Sequence, residues 1–146
     1  MDLNEGQRLA LDDALQALVF LEAADRVIGP EIIGFAGDLQ MMAPASFLIS
    51  HAAEISLGAF LRFSGKKGGL SSHDLGPRLT AAEFAGLTPT EEFRQYVRAI
   101  DKAHKSGQFR YSRADLAPFV MPRKAIEMVR PVLEGIQREL NQRASS

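Results

Sequence analysis

Between Gln7 and Val27, Leu11, Leu15, Leu18 and Val19 recur at i, i+4, i+7 and i+8 with charges elsewhere, and Gly29-Pro30 follows. That spacing predicts one amphipathic helix with a built-in stop. Residues 30–43 are ambiguous, with a short helix from Pro30 anchored by Ile32, Ile33, Phe35 and Leu39 as one reading. Pro44 can open a second helix, because the first turn needs no N–H there. From Phe47 to Phe63 that helix is apolar on most faces, through Leu48, Ala52, Ile55, Leu57, Ala59, Phe60 and Leu61. It is expected to be the central and most buried element. The run Ser64-Gly65-Lys66-Lys67-Gly68-Gly69 breaks it.

Asp74 is a natural N-cap for a third helix reaching about Leu87, and Pro77 fits its first turn. Thr88-Pro89-Thr90 followed by Glu91 and Glu92 opens a fourth, which Gly107 can end. Phe109 to Met121 reads as an extended connector. Pro122 begins the last helix, with Ile126, Val129, Leu133, Ile136 and Leu140 at three- and four-residue spacing. Pro131 inside it predicts a kink or a break. With no alternating strand and no internal repeat, the chain reads as an all-α, up-and-down bundle of five or so helices, a single domain over 1–146.

The length of 146 residues lets such a bundle bury enough surface to stand without a staple. The absence of cysteine excludes disulfide scaffolds, Cys-type zinc sites and thiol chemistry. The acidic, polar start is unlike a signal peptide, and no run of 18 to 20 apolar residues stands out. A cytoplasmic protein without a membrane partner is therefore expected. The formal net charge of -1 hides an asymmetry: residues 1–50 hold eight acids and two bases, and the rest fifteen bases and ten acids. This split fits either an anionic partner for the basic half or acidic and basic helices packed side by side.

The chemistry concentrates in the fourth helix. At 100° per residue, Phe93, Tyr96, Val97, Ile100 and His104 share a stripe about 100° wide, while Arg94, Arg98, Lys102 and Lys105 share another, about 80° wide, nearly opposite. Arg110 and Arg113 follow, so 94–113 carries six bases and one acid, Asp101. Such a face is either solvated or an anion-binding ridge, with Phe109 and Tyr111 available to stack on a base. His104 sits near a helix C-terminus, where an imidazole beside arginines can act as general acid or base in RNA cleavage. Its other reading is a structural histidine on an apolar stripe. Gly65-Lys66-Lys67-Gly68-Gly69 lacks the phosphate-loop pattern and reads as a flexible basic turn. His51 and Glu54, three apart, have a spacing that could present two metal ligands, but His51 reads as a hydrogen-bonded histidine at a helix interface; no metal site and no cofactor is expected.

The stretches HAAEISLGAFL (51–61), SHDL (72–75) and HKSGQFRY (104–111) resemble a small bacterial branch of the HEPN superfamily, helical domains of higher eukaryotes and prokaryotes linked with nucleotides. The resemblance covers roughly residues 44–113. It implies a four- to five-helix bundle, often dimeric. Many such proteins are metal-independent RNases of toxin–antitoxin or defence systems, and others are non-catalytic partners of nucleotidyltransferases. The nuclease members carry an Arg and, four to six residues on, a His; Arg98 and His104 with five residues between them fit that spacing. Two positions depart. Ala99 follows Arg98 where relatives usually have a polar residue, and Gly58 stands four after Glu54 where they often have Lys.

Three functions follow as expectations. The first is a HEPN-like protein that binds RNA, nucleotide or an acidic partner through Arg94, Arg98, Lys102, Lys105, Arg110, Tyr111 and Arg113, without turnover. The second is a metal-independent endoribonuclease in which His104 moves the proton and Arg98 stabilises the charged phosphorane. The two residues point about 120° apart on one ideal helix, so this version draws on both copies in a dimer. The third is a purely structural protein whose basic stripe meets an acidic helix. A homodimer with His104 near its interface is expected, because Phe47, Phe60 and Phe63 occupy more than one face of the central helix.

Overall fold

Asn4 starts the first helix. Its side chain accepts from the Gln7 backbone N–H at 2.9 Å, and the Gln7 side chain accepts from the Asn4 N–H at 3.1 Å. This reciprocal capping box satisfies two donors that the first turn would otherwise leave open. The computed structural model describes residues 2–29, 35–67, 70, 73–105 and 121–146, excepting the side chains of 35–42 and 102–105. Its five helices are α1 (Glu5–Ile28), α2 (Phe35–Phe63), α3 (Leu75–Phe84), α4 (Glu91–Lys105) and α5 (Pro122–Ala144), and no strand occurs among the described residues. The chain is an all-α bundle. The expected connector at 109–121 and stop at Gly107 lie, but for Met121, outside the described residues.

α1 ends at Gly29, whose φ of 69° is open to glycine without strain. Its buried face differs from the expected leucine stripe. Ala10, Ala14, Ala17, Leu21, Ala24 and Ile28 are buried, whereas Leu15 and Val19 are exposed and Leu11 and Leu18 are half-buried. The reason is close packing. α1 makes its most extensive contact with α2, which buries its own small residues Ala45, Ser46, Ala52, Ala53 and Ala59. Short side chains on both helices let the backbones approach, and many atoms then gain dispersion contacts that bulky leucines would prevent.

α2 begins nine residues earlier than expected and runs straight through Pro44. Pro44 is exposed, so the carbonyl one turn back that loses its donor lies toward water, which can replace it. Pro131 in α5 is exposed as well, and of the kink or break expected there the break does not occur, since the helix continues to Ala144. α2 is the centre of the bundle, touching all four other helices. Its stretch Ala43–Phe63 has the length and mean hydropathy, 1.2, of a membrane span, contrary to the sequence expectation, but it is 72% buried within the protein. Burial by the other helices accounts for that hydropathy. Phe60 and Phe63 are enclosed and Phe47 is half-buried, which removes the uncovered faces expected of them.

α3 and α4 pack on each other and against α2, and α4 also meets α5; among the described residues neither touches α1. α3 stops at Phe84, three residues short of the expected end, because Gly86 turns the chain at φ 104° and Leu87 N–H reaches back to the Ala82 carbonyl at 2.9 Å. Thr90 Oγ1 accepts from the Phe93 N–H at 3.2 Å and caps α4.

Candidate anion-binding face and the Glu54 cluster

α4 buries Phe93, Tyr96, Val97 and Ile100, as its apolar stripe requires. The opposite stripe, expected to be uniformly basic, is divided by its partners. Arg94 Nε donates to Glu83 Oε1 of α3 at 2.5 Å, and its Nη1 lies 3.5 Å from Glu91 Oε2. The Glu83 hydrogen bond holds the Arg94 guanidinium above its ordinary pKa, with help from Glu91. Arg94 is thus committed within the chain. Among the described residues, Arg98 has one ion-pair contact, Nη1 to Glu91 Oε1 at 3.3 Å, and its side chain is 68% exposed. An exposed pair of this kind is weak, so Arg98 can exchange Glu91 for another anion at little loss.

Between α3 and α4 lies a cleft of about 400 Å³, lined by Gly76, Leu79, Thr80, Glu83, Arg94, Val97, Arg98 and Asp101. Asp101 Oδ1 accepts from the Gly76 N–H at 3.1 Å, in the first turn of α3. It therefore does what the sequence assigned to Asp74, which occupies the N-cap position in extended conformation but makes no side-chain capping bond. Gly76 eases this approach, since a Cβ there would lie 3.2 Å from Asp101 Oδ2, and the carboxylate would have to give by a few tenths of an ångström. Of the remaining sequence-predicted residues, Lys102, His104 and Lys105 belong to the last turns of α4 by backbone only, and Arg110, Tyr111 and Arg113 lie outside the described residues.

A second cluster was only partly visible in the sequence. Glu54 is buried in α2, with Oε1 2.7 Å from His73 Nδ1 and 3.6 Å from Arg78 Nη2, and Oε2 3.6 Å from His51 Nδ1. Arg78 is itself buried, donating through Nη1 to the Glu54 carbonyl at 3.3 Å and through Nη2 to the Leu70 carbonyl at 3.2 Å. Its desolvation lowers the guanidinium pKa, and Glu54 opposes that shift. Gly58 leaves room for this placement, because a Cβ there would stand 2.6 Å from Arg78 Nη1 and the guanidinium would have to shift. The position where the HEPN resemblance leads one to expect Lys is thus a vacancy filled by a cation from α3.

The pairing sets the chemistry of His73. An ionised Glu54 can only accept, and in that state Nδ1 is the donor, leaving Nε2 as the second ring nitrogen of a side chain 82% exposed. His51 has a different setting, edge-on to Phe20 at 5.0 Å and stacked on Phe47 at 5.6 Å. These ring contacts place it between α1 and α2, as the expected helix interface has it, while its distance of 3.6 Å to Glu54 is longer than the expected hydrogen bond. Neither the α3–α4 cleft nor a shallow groove on α1 is lined by His73. Through His73, the Leu70 carbonyl and Arg78, the cluster ties residues 70 and 73 and helix α3 to α2. The spacing of His51 and Glu54 was the available signal; Arg78, twenty-four residues on from Glu54, gave none.

Compared with family models, curated proteins and solved structures, the chain has no match.

Proposed function

We propose that this chain is a HEPN-like module that binds a phosphate-bearing ligand, RNA or a nucleotide, along α4 and at the mouth of the α3–α4 cleft, without turning it over. The observation that carries the reading is the contrast between the two arginines: Arg94 is held by Glu83 and Glu91, while Arg98 stands exposed at the cleft rim. Arg98 is the first point of contact, a fork that pairs two phosphate oxygens at once. By helical register Lys102 and Lys105 extend the same face, adding charge that screens with salt. The cleft volume falls within the range of small-ligand sites, and Glu83 and Asp101 offer acceptors for hydroxyl or amino groups. A toxin–antitoxin or defence setting, with a nucleotidyltransferase-type partner, is the context the resemblance suggests.

The test is fluorescence anisotropy with a labelled single-stranded RNA between about 50 and 200 mM salt. Affinity is expected to fall steeply with salt, and Arg98→Ala to weaken binding and reduce the slope of log K against log salt by about one. Binding that ignores salt, or that Arg98→Ala leaves intact, refutes the reading.

The endoribonuclease reading has one observation in its favour, the exposure of Arg98. Arg98 is drawn toward Glu91 in the first turn of α4, away from the turn that carries His104, so the pair would need a second copy. That activity predicts cleavage that persists in EDTA and is lost in His104→Ala.

A further inference from the structure

The outer face of α1 carries a pattern with a centre. Arg8, Leu11, Leu15, Val19 and Glu22 follow one another at spacings of three, four, four and three residues. At 100° per residue all five lie within about 40° of Leu15 around the helix, on the side away from the buried alanine face. Leu15 is 54% and Val19 53% exposed, and Leu18 adds a half-buried apolar edge. The stripe leaves apolar surface uncovered on a helix whose other side already packs against α2 and α5.

We infer that this stripe pairs with the same stripe of a second copy, antiparallel, about a two-fold axis passing beside Leu15. The axis sets Leu15 on the partner's Leu15, Leu11 on the partner's Val19, and Arg8 on the partner's Glu22. The Leu11–Val19 and Arg8–Glu22 pairs then each occur twice, as an isologous interface requires, while Leu18 at the edge falls toward the partner's Asp12 on the rim. A parallel pairing would instead oppose Arg8 to Arg8 and Glu22 to Glu22, like charges in contact. Arg26, paired to Glu22 at 3.3 Å and otherwise exposed, completes the charged end. Asp12 sits about 60° to one side, on the rim, where water solvates it.

This surface differs from the one expected from the phenylalanines of α2, and it has a consequence for the site. α1 and α4 do not touch among the described residues. A dimer joined through α1 therefore holds its two α4 faces apart, and each binds its ligand alone. The pairing goes beyond the binding function proposed above, and its test does not depend on any ligand.

The test is sedimentation equilibrium of the full chain from about 1 to 100 µM, a range suited to micromolar association, with far-UV circular dichroism to check helix content. Wild type is expected to dimerise. Leu15→Asp, which brings two carboxylates to the axis, is expected to weaken the dimer roughly 100-fold with helix content unchanged. Arg8→Glu is expected to weaken it roughly tenfold, and Arg8→Glu with Glu22→Arg to restore it. A wild type monomeric throughout, a dimer indifferent to Leu15→Asp, or a double variant no better than Arg8→Glu alone overturns the inference.

Discussion

Replacing Gly58 by alanine tests whether the guanidinium of Arg78 is seated where the structure places it. In an ordinary helix interior, Gly→Ala stabilises by about 1 kcal/mol through backbone entropy. Here the new Cβ would stand 2.6 Å from Arg78 Nη1, so the guanidinium must move. Moving it stretches two charge-assisted hydrogen bonds, to the Glu54 and Leu70 carbonyls at 3.3 and 3.2 Å, each worth about 1.5–3 kcal/mol. It also withdraws the cation beside the buried Glu54 carboxylate. Losing about the equivalent of one such bond and a fraction of the second outweighs the propensity gain. Gly58→Ala is therefore expected to destabilise by about 1–3 kcal/mol. In an Arg78→Met background nothing polar occupies the space, and the same change is expected to stabilise by about 1 kcal/mol. Urea unfolding followed by circular dichroism on the four proteins of this cycle reads the coupling directly. A Gly58→Ala effect of the same sign and size in both backgrounds would show that Arg78 does not fill that space.

Asn4→Ala removes half of the capping box and is expected to lower stability by about 1 kcal/mol, read from the same urea transitions; no change would mean the first turn frays anyway. Phe60, fully buried in α2, is expected to cost about 3–5 kcal/mol when truncated to alanine, whereas Phe84, 90% exposed at the end of α3, is expected to cost under about 0.5 kcal/mol as Phe84→Ser. Similar losses at the two positions would contradict the packing described. Burial raises the Tyr96 phenol well above its ordinary value of 10.0. A folded pKa above the unfolded one means that Tyr96 contributes stability in full below about pH 10, lost progressively as pH rises beyond it. Absorbance at 295 nm should therefore show Tyr96 ionising only as circular dichroism reports unfolding. Ionisation of both tyrosines near pH 10 with the helices intact would refute the burial.

The helical character of this chain was legible because its apolar residues recur at three- and four-residue spacing and its stops are glycines in the right places, Gly29 among them. Which face of α1 points inward was not legible. Counting hydrophobicity ranks Leu15 above Ala14, but close packing of two helices favours the smaller residue, and the leucines fall outward. Pro44 misled for a related reason. A proline is tolerated inside a helix where the freed carbonyl meets water, and exposure is a property of the fold, not of the local sequence. In α4 the sequence made Arg94 and Arg98 equivalent, one turn apart on one stripe. The distinction between them comes from Glu83, on a neighbouring helix, and no pattern within α4 contains it. The Glu54 cluster was half visible for the same reason, with His51 in the same helix and Arg78 in another.

In the binding site proposed above, Arg98, and not Arg94, meets the ligand. Arginine side chains report this in an NMR titration of their Nε–Hε signals with a short single-stranded RNA. The Arg98 signal is expected to move first, while Arg94, bound through Nε to Glu83, stays in place at the same RNA concentration. An Arg98 signal unmoved at saturation, with the shifts gathered on another face of the bundle, would contradict it.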